Sequence, residues 1–186
     1  VAGYAYAIRG EDAYINLFMN SEASLQTEKG ELIISQQTSY PWEGSIELII
    51  NNQKAVKAAL HIRIPGWALN TPVPSDLFRF ADDQEARPFL KVNGKEVDIK
   101  MEKGYAVIEG HWSQGDHITL ELPMEDRIVL ANSNVSAKTG LVAVQYGPLV
   151  YCGEEIDNEM DVLEAELSDD SKFEVFYSPD LLGGVN

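Results

Sequence analysis

The sequence predicts an all-β protein: an antiparallel β-sandwich with a long Pro-rich loop and an acidic, partly irregular C-terminal segment. Three observations carry that expectation. Apolar and polar residues alternate with a period of two in the clearest runs, which puts one set of side chains on a buried sheet face and the other in solvent. Turn-forming residues separate short runs rich in β-branched and aromatic side chains. Helical spacing is almost absent.

The alternation is cleanest in 56–64, where Val56, Ala58, Leu60, Ile62 and Ile64 point one way and Lys57, Ala59, His61 and Arg63 the other. It returns in 117–122, with Ile118, Leu120 and Leu122 set against Thr119 and Glu121. Other β-rich runs are 4–8, 13–19, 32–37, 46–50, 89–92, 105–108, 128–130, 141–146 and 149–152. Asn93-Gly94 predicts a hairpin, because a type I′ turn needs positive φ at both central residues. Glu28-Lys29-Gly30, Pro41-Trp42-Glu43-Gly44 and Ser113-Gln114-Gly115-Asp116 close other connections. About ten short strands at this spacing read as a sandwich.

Two segments break the rhythm. Residues 65–88 hold Pro65, Pro72, Pro74 and Pro88 with no clean period, and their aromatics Trp67, Phe78 and Phe80 predict packing rather than free solvation. In 154–170, Ile156, Met160, Leu163 and Leu167 have helical spacing, yet 162–167 also alternates loosely. A short helix and an irregular run both remain open there.

Composition narrows the function. The 186 residues carry a formal charge of −16. Nucleic acid and anionic membranes are disfavoured as partners, since both require a basic surface. No apolar run approaches the ~20 residues of a membrane-spanning helix. Val1 opens no signal sequence and is no initiator Met, which suits a mature form or a piece of something longer. The acids concentrate at the end: residues 131–186 hold 11 of them against Lys138 and Lys172. A solvated face is the expected use of such a run. A single cysteine, Cys152, permits neither an internal disulfide nor a cysteine-based zinc cage, and does not identify a compartment.

Catalytic patterns are missing. There is no G-x-S-x-G elbow, phosphate loop or dinucleotide glycine fingerprint. His61, His111 and His117 lack metal-ligand spacing. Asp157-x-Glu159-x-Asp161 imitates the start of a calcium loop, but Val162 stands where glycine is needed and Ser168 where glutamate is needed. Asn134-Val135-Ser136 would accept a glycan only on a eukaryotic secretory route. Cys152, followed by Glu154 and Glu155, is expected to be an inert buried strand cysteine, because a reactive thiolate needs an electropositive setting. Trp42 and Trp67, at turns, are the candidate substrate-binding residues, as flat rings able to stack on a sugar. Trp112 is a weaker candidate of the same kind.

Several phrases in order resemble the C-terminal β-sandwich region of the β-L-arabinofuranosidase-like glycoside hydrolases, family 127 and its relative family 146. They include Ala13-Tyr14-Ile15-Asn16-Leu17-Phe18, Ser39-Tyr40-Pro41-Trp42-Glu43-Gly44 and Arg63-Ile64-Pro65-Gly66-Trp67-Ala68. Further on come Gly104-Tyr105-Ala106-Val107-Ile108, Leu120-Glu121-Leu122-Pro123-Met124 and Gly147-Pro148-Leu149-Val150-Tyr151-Cys152 followed by Asp157-Asn158.

The resemblance implies more than spacing does. Such enzymes have an (α/α)6 barrel that carries the active site, with a cysteine nucleophile and a zinc held by cysteines and a glutamate, followed by β-sandwiches. None of those residues maps onto this chain, so no catalytic or metal residue is expected in it, and zinc belongs to the missing catalytic domain. Residues 1–153 would be a β-sandwich accessory domain. Residues 154–186 would begin a second, incomplete sandwich, poorly tied down and quick to exchange amide hydrogens.

The expected partners are the N-terminal (α/α)6 catalytic domain, a second copy at a homodimer contact, and a plant-type polysaccharide. The leading expectation is a non-catalytic module that docks its 65–88 loop against the barrel. The alternatives are a carbohydrate-binding module using Trp42 and Trp67, and a free-standing hydrolase using paired acids.

Overall fold

The computed structural model describes residues 2–83, 86–158, 161–168, 171, 173–178 and 184–185. They fall into two compact units, one made of Val1–Leu69 and Ala86–Pro123, the other of Asn70–Glu85 and Met124–Asn186. The division expected at 153/154 falls inside the second unit.

The first unit opens with one helical turn, Ala2–Ala5, and six strands: β1 (Tyr6–Arg9), β2 (Asp12–Ile15), β3 (Ser21–Thr27), β4 (Gly30–Thr38), β5 (Ser45–Ile50) and β6 (Val56–Arg63). The chain then leaves for β7 (Phe78–Phe80) in the second unit. It returns for β8 (Phe89–Val92), β9 (Lys95–Val97), β10 (Lys100–Glu102), β11 (Tyr105–Trp112) and β12 (His117–Glu121).

Two sheets result. One has the order β1-β2-β6-β11-β10, the other β3-β4-β5-β12-β8-β9. Pairing is antiparallel except between β2 and β6, which run parallel with Tyr14 beside His61. Both sheets turn their apolar faces into one core. Ile15, Leu60, Ile62 and Ala106 come from the first, and Leu32, Ile34, Leu48, Ile50, Leu90, Ile118 and Leu120 from the second. Each fully buried Leu or Ile contributes about 1.5–3 kcal/mol, so this core is the main source of the unit's stability.

The expected alternation is present. In β5, Ile46, Leu48 and Ile50 are buried and the residues between them are not. The Asn93-Gly94 hairpin joins β8 to β9 with φ of 51° and 76°. Lys103-Gly104 makes a second such turn between β10 and β11, with φ of 50° and 85°.

Polar groups inside the sandwich are tied down. Buried Asn52 accepts from the Ile33 N–H at 2.7 Å and donates to the Trp112 carbonyl at 3.1 Å, so one amide links β4 to the end of β11. The Trp112 indole donates to the Ala58 carbonyl at 3.0 Å and is 3% exposed. It is a core residue.

The second unit is built on a sheet of order β15-β14-β13-β7, with β13 (Asp126–Ala131), β14 (Val142–Tyr146) and β15 (Leu149–Val150). The proline-rich segment therefore does not run as one loop. Gly66–Leu69 forms a 3-10 turn whose Ala68 joins the first core, and β7 supplies an edge strand to the second sheet. The aromatic packing expected of 65–88 is found at Phe80, which is buried, and at Trp67, which packs on the first core.

Among the described residues of 151–168, Glu155–Asp157 and Val162–Glu164 are single 3-10 turns and the rest is irregular. This falls between the two readings left open for 154–170. Ile156 and Leu163 are exposed. Tyr177–Ser178 pairs with Gly184–Val185. Met160, 169–170, Lys172 and most of 179–186 lie outside the described residues, and the expectations placed on them go no further.

Candidate functional site

Alternation along β2 and β6 sends Ala13, Ile15, Leu60 and Ile62 inward, which leaves Asp12, Tyr14, Ala59, His61 and Arg63 on the outer face of the five-stranded sheet. That face is not a plain solvated surface. The Tyr14 ring stacks on the His61 imidazole, with centroids 4.2 Å apart and planes 15° from parallel. Tyr105, from β11, stands edge-on to both, at 5.4 Å from Tyr14 and 6.2 Å from His61.

The surrounding contacts hold the trio in place. The Tyr105 hydroxyl donates to Asn16 Oδ1 at 2.8 Å, and the Arg63 guanidinium lies over the Tyr105 ring at 5.6 Å. His61 Nε2 is 3.5 Å from Asp12 Oδ2. His61 is on the polar face, as the sequence predicts, yet it is only 8% exposed, because the two tyrosines cover it.

Depressions lie on either side of this aromatic ridge. One, of about 590 Å³, is floored at Ala59 and bordered by Arg9, Asp12, Lys57 and Glu109. The other, of about 320 Å³, reaches from Ala7 past Asn16 to Tyr105. Tyr14 and His61 line both. Sequence reasoning missed Tyr14 and Tyr105. The signal available was an aromatic at the outward position of each of two strands, which becomes informative only when the register places those strands on either side of His61.

The two sequence-predicted tryptophans sit elsewhere. Trp42 is half-buried in the turn before β5. Trp67 is half-buried against the first core. Its indole nitrogen is buried without a hydrogen-bond partner of good geometry, although it acts on the nearby Tyr40 hydroxyl. Burial raises the Tyr40 pKa, and the Trp67 indole works weakly against that rise. Phe18 closes on Tyr40 edge-on at 5.4 Å.

Cys152 corrects an expectation. It was to be a buried strand cysteine, but β15 ends at Val150 and Cys152 is exposed. The strand stops two residues short of it because the pairing with β14 ends at Gln145–Val150. Among the described residues no three His, Cys, Asp or Glu side chains gather to hold a metal ion.

Comparison with known proteins gives the setting. Residues 12–124 match the family description "Beta-L-arabinofuranosidase, GH127 middle domain", and residues 126–179 match "Glycoside hydrolase family 127 C-terminal domain". The chain belongs to glycoside hydrolase family 127. The border between the two matches falls beside Pro123, where the first compact unit ends.

One relative is the non-reducing end beta-L-arabinofuranosidase of Bifidobacterium longum subsp. longum, 32% identical in an alignment of 161 residues. The match covers 83% of this chain and 22% of that protein. A solved GH127 beta-arabinofuranosidase superposes with a TM-score of 0.92 at 38% identity, covering 98% of this chain and 28% of its own. A GH127 beta-L-arabinofuranosidase from Geobacillus stearothermophilus superposes at 0.84 and 33% identity, covering 98% and 27%. The chain thus spans about a quarter of the length of these relatives.

Proposed function

We propose that this chain is the non-catalytic β-sandwich part of a family 127 glycoside hydrolase acting on β-L-arabinofuranosides or related glycosides, with the reaction carried out by a domain outside it. The observation that carries this reading is the pair of domain matches, a middle domain and a C-terminal domain, on a chain that covers 22–28% of its relatives. The cysteine nucleophile and zinc then belong to the remaining three quarters, an (α/α)6 barrel. The chain's own residues supply the scaffold: a closed core that orders the outer sheet face and the loops.

The aromatic anchors of 65–88 are already engaged within their own units, Trp67 on the first core and Phe80 in the second sheet. Docking on the barrel therefore falls to the parts of the segment that stay exposed, Leu77 among them.

The test is direct. The purified chain is assayed with 4-nitrophenyl β-L-arabinofuranoside, and no turnover above the buffer rate is expected. Turnover that disappears in Cys152→Ala would overturn the reading. The chain is also mixed with the separately expressed remainder of its parent protein. A rise in the melting temperature of either part is expected, and two unshifted transitions count against docking.

A further inference from the structure

We propose that the trough on the outer face of the five-stranded sheet is a binding site for a neutral oligosaccharide, with the Tyr14–His61 stack as the ridge between two sugar positions. The choice of sugar rests on the family 127 reading; the existence of the site does not.

Shape is the first argument. The two depressions, about 590 and 320 Å³, fall within the size range of small-molecule sites. They exist because small residues lie between large ones. Ala59 is the outward residue of β6 between Lys57 and His61, and Ala7 pairs with Tyr14 across β1 and β2. Longer side chains at these two positions would level the face.

Rigidity is the second. Tyr14 is held by the His61 stack, Tyr105 by its hydrogen bond to Asn16, and His61 by both rings. A wall ordered before binding loses little side-chain entropy when a ligand arrives.

Charge selects the ligand class. Arg9, Lys57 and Lys100 stand against Glu11, Asp12, Glu102 and Glu109 around the larger depression, and Glu11 is already paired with Lys29 at 2.9 Å. Near-balance of charge favours neither a polyanion nor a polycation, and a lining of charged groups rejects a purely apolar molecule. A polyol fits. Each sugar hydroxyl can both donate and accept, so it can give to a carboxylate and receive from a lysine or arginine. The C–H face of the ring meets the half-exposed tyrosines.

The test is a backbone-amide NMR titration of the 186-residue chain with linear L-arabinotriose, with methyl β-L-arabinofuranoside, and with the anionic trimer of galacturonic acid. Saturable shifts are expected at Asp12, Tyr14, Ala59, His61 and Val107 with arabinotriose. Weaker shifts are expected with the monosaccharide, and none with the acidic trimer.

Ala59→Trp fills the floor from the solvent side and should weaken arabinotriose binding by about tenfold or more with an unchanged melting temperature. Glu109→Gln, at the exposed rim, gives a second variant that leaves the stack intact and should weaken binding less. Four results would overturn the proposal: no saturable shift with any sugar, equal binding by the acidic trimer, binding undisturbed in a folded Ala59→Trp chain, or shifts confined to Trp42 and Trp67. The last result would favour the tryptophan platforms. None of these outcomes bears on the family 127 role, which is judged by the turnover and docking assays.

Discussion

The guanidinium carbon of Arg127 lies 3.6 Å from the ring centroid of Phe80, and this stack joins β13 to β7 in the second unit. The same guanidinium donates through Nε and Nη2 to Asp82 Oδ1 at 3.0 Å, through Nη2 to the Asp82 carbonyl at 2.7 Å, and through Nη1 to Asn70 Oδ1 at 2.7 Å. One buried cation thus gathers the start and end of the 70–82 excursion beneath its edge strand.

Arg127→Ala removes the ring contact and the guanidinium bonds to Asp82 and Asn70. Breaking a buried ion pair costs about 3–5 kcal/mol, but the Asp82 side chain is 60% exposed and can be rehydrated. The expected loss therefore falls below that range, about 2–3 kcal/mol. Asp82→Asn should cost less, since the Asp82 carbonyl and Phe80 still hold the guanidinium. Hydrogen exchange at Phe80, Ala81 and Val129 measures the loss locally. Unchanged protection there in Arg127→Ala would mean that β7 is held by other contacts.

Asn52 makes the corresponding link inside the first unit. Asn52→Ala leaves the Ile33 N–H without its side-chain acceptor and takes one donor from the Trp112 carbonyl, at about 1–3 kcal/mol for an unsatisfied buried group. Asn52→Asp keeps the acceptor for Ile33 but turns a carboxylate toward the Trp112 carbonyl, and should be the worse of the two. All three tryptophans lie in this unit, so urea titration followed by indole emission reports on it. Equal midpoints for Asn52→Ala and the parent chain would show that water replaces both bonds.

Most of the first unit was legible in the sequence, because alternation in 46–50, 56–64 and 117–122 reflects a sheet with one buried face, and Asn93-Gly94 has the chemistry its turn requires. β3 was not, since Ser21-Glu22-Ala23-Ser24 offers almost no apolar residue, and the strand is ordered by pairing with β4 and by Leu25 in the core. The Lys103-Gly104 turn was missed because lysine seldom adopts positive φ. β7 was hidden for another reason: three residues in a proline-rich stretch become a strand only because β13, far along the chain, offers an edge. The outer-face trough depends on register, which places Tyr14 and Val107 beside His61. Two partners from distant segments cannot be read from either segment by itself. Trp112 was legible only as a strand-end ring, and its burial follows from the Ala58 carbonyl waiting across the pair.

Tyr40 gives the chain a dependence on alkaline pH. Burial raises its pKa above the ordinary 10.0 and so favours the neutral phenol in the folded state. This contribution is whole below pH 10.0, the unfolded value, and is lost as pH rises through the higher folded value. Stability of the parent chain should therefore fall more steeply above pH 10 than that of Tyr40→Phe, which has no phenol to ionise. Thermal melts between pH 8 and about pH 11, followed by indole emission, make the comparison. Parallel curves for the two chains would show that Tyr40 ionises as freely folded as unfolded.

Gly94 isolates a purely backbone effect. Its φ is +76°, and a Cβ built there meets no atom within 4 Å. Gly94→Ala therefore creates no clash, and its cost is the left-handed conformation itself, about 1–2 kcal/mol for an L-residue. Part of this is offset because alanine reduces the freedom of the unfolded chain by about 0.4–1 kcal/mol. The net destabilisation should be about 1 kcal/mol. Gly110→Ala offers the contrast, since its Cβ would come within 3.0 Å of the buried Trp112 ring and the cost there is steric. Urea midpoints rank the two. A Gly110→Ala chain as stable as Gly94→Ala would show that the Trp112 ring gives way at little cost, and a Gly94→Ala chain as stable as the parent would show that the β8–β9 turn can change type without disturbing its strands.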